Sequence, residues 1–249
     1  MPQIVWLITG CSSGFGEQFV HSILARGDKV IGTARNLDKL LRLVDAGVQV
    51  LQLDITNGQT SINATFDTNV FGTIKVTRAL LPHFRERRAG VNVFIGSLSG
   101  WIGHDFCGTY AGSKFALEGI MEALRLETEP LGIRTLLIEP GRFRTRLLSG
   151  DSRKTKTSAI PDYYDLSSSK SDGLDAENMR QPGDPSKLVE IVLDLVRHEG
   201  VAKYMTVPLR MPLGIDCYDD IKAKCEETLR LLEDWRGVIT STDMSDGDQ

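Results

Sequence analysis

Apolar positions follow two alternating rhythms along this chain. Short runs of four to seven residues, at 3–9, 29–33, 48–53, 91–95, 134–139 and 204–207, are dense in apolar and β-branched side chains and end in glycine, asparagine, aspartate or proline; they read as strands. The stretches between them repeat their apolar residues at helical spacing. Residues 14–25 set Phe15, Phe19 and Ile23 on one face, and Gly27 stands where a left-handed residue closes a helix. Residues 66–88, 109–131 and 218–235 read as further helices, and 186–198 places Leu188, Ile191, Val192, Leu195 and Val196 in the same rhythm. Strand and helix in alternation build a parallel sheet covered on both faces, a doubly wound α/β fold. With 249 residues, 41% of them hydrophobic, the chain makes one sizeable core and falls short of two ordinary enzyme domains. The expectation is a single domain over 1–249.

Charge narrows the partners. A net charge of -4 and a pI near 5.6 argue against a phosphate backbone as the main ligand, which calls for a clustered basic excess. Arg85-Glu86-Arg87-Arg88 reads as a solvated helix end. The longest apolar runs are far below the roughly 18 to 20 residues of a bilayer span, and no charged-then-apolar leader precedes the first strand; the expected location is cytoplasmic. Cys11, Cys107, Cys217 and Cys225 are scattered without metal-ligand spacing and are expected to be free thiols, with neither zinc nor disulfide. The polar stretch 142–185, broken by Pro161, Pro182 and Pro185, reads as a lid over a substrate, and the acidic tail 242–249 as disordered.

Two constellations carry chemistry. After the first strand, Thr9-Gly10-Cys11-Ser12-Ser13-Gly14-Phe15-Gly16 opens a helix; glycines there let the chain turn tightly and let helix amides approach a pyrophosphate. Farther on, Ser97 precedes Tyr110 by thirteen residues, and Lys114 follows Tyr110 by four, a spacing that puts phenol and ammonium on one helix face. Ser99 is the neighbouring alternative to Ser97. After the second strand, Gly32-Thr33-Ala34-Arg35 offers no carboxylate for an adenosine ribose, and Arg35 can pair with a 2′-phosphate. NADP(H) is therefore expected over NAD(H).

The glycine turn TGxxxGxG (Thr9, Gly10, Gly14, Gly16) and the YxxxK pair (Tyr110, Lys114) resemble those of the short-chain dehydrogenase/reductase family, from about residue 4 to about 141. The resemblance implies a Rossmann-like fold with a cofactor and catalytic core over 1–141. It further implies hydride transfer between a nicotinamide cofactor and a small-molecule carbonyl or secondary alcohol. Tyr110 would be the acid–base and Ser97 the hydrogen-bond donor to the substrate oxygen. Lys114 would bind the nicotinamide ribose and, with the nicotinamide cation, favour the phenolate. Asn69 would organise a relay water. The cofactor would rest on Gly10, Ser12, Ser13, Gly14, Phe15, Gly16, Arg35, Asp54, Tyr110, Lys114, Pro140 and Gly141. The long helix pair would build a homodimer or homotetramer.

Only fourteen residues separate Asp54 from Asn69. The family places a helix, a fourth strand and an Asn-Asn-Ala-Gly-like turn there, and a βαβ crossover needs roughly 30 residues. One βα unit is therefore expected to be missing, beside the first strand. That absence sets a second reading next to the enzyme: a truncated or non-catalytic relative that binds a nucleotide or partner chain without turnover.

Overall fold

The computed structural model describes residues 3–53, 61–148, 158 and 160–244. β1 (Val5–Thr9), α1 (Gly14–Ala25), β2 (Lys29–Ala34), α2 (Leu41–Val44) and β3 (Gln49–Gln52) make the first half. α3 (Ser61–Phe66) runs through a π-helical turn, Asp67–Gly72, into α4 (Thr73–Arg87). The second half holds β4 (Gly90–Ile95), α5 (Gly108–Thr128), β5 (Ile133–Pro140), α6 (Tyr164–Glu177), α7 (Pro185–Arg197) and β6 (Arg210–Leu213). α8 (Ile215–Asp234) and α9 (Arg236–Ile239) close the chain.

All strand pairs are parallel, as strand–helix alternation dictates. They form two three-stranded sheets, β1-β2-β3 and β4-β5-β6. One hydrophobic core joins them: Phe19, Val20 and Ile23 of α1 and Val30 of β2 belong to the same buried cluster as Leu136 and Ile138 of β5 and Leu188, Val192 and Leu193 of α7. Helix α7 earns that place through its apolar stripe, and Asp184 starts it by accepting from the Ser186 N–H, with Pro185 in the first turn. Asp28 pins the open end of β1: it accepts from the Ile4 N–H at 3.0 Å and the Trp6 indole at 3.0 Å, and pairs with Arg197 of α7 at 2.6 Å.

Three expectations shift. The last strand lies at Arg210–Leu213, not 204–207, because Arg210 is drawn to carboxylates on β5 and α5. The polar stretch 142–185 contains a helix, α6. The last helix begins at Ile215, three residues early, after Gly214 at φ 115°. Of the tail, Thr242 ends a short 3-10 turn, Asp243 and Met244 follow it, and 245–249 lie outside the described residues. Among the described residues no helix is long and apolar enough to cross a membrane.

Candidate active site

The glycine turn leaves the end of β1 with a geometry its sequence requires. Gly10 and Gly14 have φ of +74° and +63°, where an L side chain is strained. A Cβ on Gly16 would collide with the Gly10 carbonyl, so the first turn of α1 packs directly on the chain that enters it. Cys11 anchors the turn, its N–H donating to the Thr33 carbonyl at 3.0 Å and its thiol to Ile8 at 3.2 Å. Burial pushes that thiol up to about 11, so it is inert packing rather than a nucleophile. Ser13 precedes the helix in extended conformation without capping it through its side chain. The first amides of α1 therefore stay available, and no atom stands within 4 Å of where a Cβ on Gly10 or Gly14 would be. That cradle fits a pyrophosphate.

Arg35 is exposed just past β2. Sequence reading missed Arg42 of α2, whose guanidinium reaches the Ser12 carbonyl of the glycine turn at 3.2 Å and pairs with Glu17 at 2.7 Å. Asp54 lies outside the described residues. Pro140 ends β5, and Gly141 follows pressed against Asp216, where a Cβ would overlap the carboxylate. Two residues on, the Phe143 ring meets Phe15 edge-on at 5.7 Å, joining the loop after β5 to the glycine turn.

Ser97, Tyr110, Lys114 and Asn69 come together at the carboxyl end of β4. Ser97 starts a 3-10 turn, its hydroxyl accepting from the Ser99 N–H at 3.1 Å. The Ser97 side chain stands near enough to the Tyr110 phenol to favour its ionised form, whereas Ser99 is buried; of the two serines, Ser97 faces the phenol. Lys114 donates to the Ile95 carbonyl at 2.8 Å and stands 5.7 Å from the Tyr110 ring. The Asn69 amide donates to Ser113 at 2.9 Å, and Ser113 to the Tyr110 carbonyl at 2.7 Å. Asn69 sits in the π-helical turn, a distortion that recurs at functional sites.

The electrostatics depart from expectation. Burial holds the Tyr110 phenol above its ordinary value, and the Ser97 contact only partly offsets it. Burial also pushes the Lys114 ammonium down to about 8, against the nearby Glu118 charge. The lysine thus does not by itself make the phenol acidic here, because a buried ammonium is itself costly. Glu118, Glu139 and Arg210, which sequence reading passed over, lie beneath the site; no local motif marks them, since Arg210 is 92 residues from Glu118.

Solved structures share this arrangement of elements. A short-chain dehydrogenase from Streptomyces avermitilis superposes with a TM-score of 0.84 at 31% identity, covering 98% of this chain and 100% of its own. A 3-ketodihydrosphingosine reductase of Bacteroides thetaiotaomicron is 30% identical over 200 residues, 66% of this chain and 72% of the relative. The chain belongs to the short-chain dehydrogenase family. The family model for short chain dehydrogenases matches residues 43–156. The oxidoreductase YusZ of Bacillus subtilis is 29% identical over 262 aligned positions, 86% of this chain and 90% of the relative. A fold of this kind is also seen in a Burkholderia phymatum short chain dehydrogenase/reductase in complex with NAD (TM-score 0.70, 18% identity, 99% and 98% of the two chains). This short-chain dehydrogenase is therefore an α/β oxidoreductase of Rossmann-like fold.

Proposed function

We propose that this short-chain dehydrogenase interconverts a small-molecule carbonyl and its secondary alcohol, with NADP(H) as cofactor. The observation that carries the reading is the meeting of the Ser97 hydroxyl, the Tyr110 phenol and Lys114 at the end of β4, together with a glycine cradle at the end of β1. Ligands of open α/β sheets bind at such strand ends. Bound there, a nicotinamide cofactor supplies the hydride. Tyr110 donates the proton to the substrate oxygen in reduction and accepts it in oxidation, and Ser97 holds that oxygen by a hydrogen bond. Lys114 binds the cofactor ribose, and Asn69, fixed through Ser113, supports the relay. Exposed Arg35, with Arg42 close to the glycine turn, supports the phosphorylated cofactor. The stretch 142–185 serves as substrate lid, a role supported by the 2.6 Å ion pair between Lys170 of α6 and Asp105 in the loop after Ser97.

We also infer that one βα unit of the family is missing between Asp54 and Asn69. Two observations support this. Among the described residues β1 pairs only with β2, and β4 only with β5, so two strand edges stand open where a further strand would bridge them. The YusZ alignment runs over 262 positions, more than this chain's 249 residues.

Thermal unfolding with NADPH, against NADH at equal concentration, tests the cofactor. At about a hundred times the dissociation constant a specific ligand stabilises by roughly 2.7 kcal/mol, a shift of several degrees. NADPH should give the larger shift; equal shifts sink the NADP preference, and no shift from either sinks the oxidoreductase. Tyr110→Phe should lower the turnover rate by roughly 10² to 10⁴ while the NADPH shift persists.

A further inference from the structure

Beneath the Ser97–Tyr110–Lys114 site lies a second cluster of charge that the proposed reaction does not use. Tyr110, Lys114 and Glu118 follow one another at one-turn intervals on α5, so their side chains share a face. The Glu118 side chain is only 3% exposed and that of Glu139, on β5, is fully buried. A single guanidinium serves both: Arg210 of β6 donates to Glu139 at 2.7 Å and to Glu118, and its third nitrogen reaches the exposed Glu122 at 2.8 Å. The guanidinium stacks 4.1 Å from the Trp101 ring centroid. Oε1 of Glu118, Oε2 of Glu139 and the Trp101 indole nitrogen lack a hydrogen bond of ordinary geometry, although the Ser97 N–H faces Glu118 and the Trp101 indole faces Glu139.

Two buried carboxylates share one hydrogen-bonding guanidinium, and the second cation, Lys114, acts on Glu118 only through space while donating to the Ile95 carbonyl. An ionised carboxylate in a dry interior requires pairing, and an orphaned oxygen adds a further cost. A single proton relieves both problems, as in paired-carboxylate sites. Glu118 is the member placed to use it. The loop that carries Ser97 closes over its carboxyl: a Cβ on Gly100 would overlap it, and one on Gly96 would stand 3.1 Å from Oε1. The Ser97 N–H faces the same carboxyl and favours its ionised form.

We propose that Glu118 is a positioning residue for Ser97 and Tyr110, sharing one proton with Glu139 across Arg210, so that loss of this proton both grips the Ser97 backbone and places a negative charge behind Tyr110. The inference rests on the oxidoreductase reading for its consequence, not for the proton itself. The groups facing Glu118 are Glu139 from β5, Arg210 from β6, and Lys114, Tyr110 and Glu122 from α5, with Lys224 of α8 lining the cleft outside. Burial and the Glu139 charge hold Glu118 up at about 7, against the pull of Arg210 and Lys114. Its ionisation near neutral pH then raises both neighbours, making Lys114 a firmer ammonium and Tyr110 a weaker acid.

The test is the phenolate absorbance of Tyr110, taken as the difference between each chain and its Tyr110→Phe counterpart, alongside kcat/KM against pH for NADPH-dependent carbonyl reduction. In E118Q, which keeps the shape and loses the charge, Tyr110 should titrate at lower pH than in the wild type, and the step in kcat/KM near neutral pH should vanish. Glu118→Asp retains the charge on a shorter arm, so the neutral step should remain while kcat falls. Glu139→Gln, which leaves Glu118 in place should E118Q fail to fold, should move the neutral step to lower pH. An unmoved Tyr110 titration in E118Q, or an unmoved step in Glu139→Gln, overturns the proposal. Failure of the oxidoreductase reading looks different: Tyr110→Phe would then turn over at the wild-type rate, while the absorbance titration still reports on Glu118.

Discussion

β1 and β5 are both parallel strands that run into a glycine-bearing turn at their carboxyl ends, yet they live in different surroundings. β5 has a partner on each side and is buried at seven of its eight positions. Among the described residues β1 has one partner, and it alternates, with Val5 60% and Leu7 37% exposed. A strand inside a doubly wound sheet is ordinarily covered on both faces. Around β5 the half that holds Ser97, Tyr110 and Lys114 is thus a closed layer, and the half that holds the glycine turn has an open side at β1. The closed half keeps Glu118 and Lys114 away from water behind the reacting groups; the open half buries the Asp28–Arg197 pair at the start of β1 and anchors its turn with backbone hydrogen bonds and an inert thiol.

The sharpest way to break the comparison is to truncate matched leucines. Leu137→Ala in β5 removes a fully buried side chain and should cost about 2 to 5 kcal/mol; Leu7→Ala in β1 should cost less than about 1 kcal/mol, both read from urea unfolding. Equal losses would show that β1 is covered after all.

Next comes pH, which near neutrality acts on the closed half. Glu118 ionises at about 7 in the fold against an ordinary 4.5. Between those values the folded chain holds a proton the unfolded chain has released, so stability falls as pH rises, by roughly 1.4 kcal/mol per pH unit at most. Lys114 titrates at about 8 against 10.5; above 8 the unfolded chain holds the extra proton, and stability recovers. Chemical denaturation across pH should therefore show a minimum between about 7 and 8, and E118Q should have a shallower acid limb, the remainder belonging to Glu139, which burial also raises. The smallest effect belongs to the open face: Val5→Thr should change stability by no more than about 0.5 kcal/mol.

Much of this was legible in the sequence because it is local. The glycine turn, the four-residue step from Tyr110 to Lys114 and the alternation of strands and helices are read over a few turns of chain. What stayed hidden is held by distant partners. Nothing near Asn69 says that its amide will find Ser113, 44 residues on. The last strand sits at Arg210 rather than around residue 205 because one guanidinium answers two carboxylates on other elements, a preference that outweighs the apolar run before it. Expecting Lys114 to sharpen the phenol counted the charge and left out the burial that weakens it.

α5 measures length as well as carrying side chains. Tyr110, Lys114 and Glu118 meet their partners only because each lies one turn beyond the last. A single residue inserted among them would rotate everything downstream by about 100°, turning Glu118 away from Arg210 and the Ser97 loop. Substitutions here can be repaired one at a time, but a change of length cannot, and the eight-residue step from Tyr110 to Glu118 should be the part of this gene least able to gain or lose a codon.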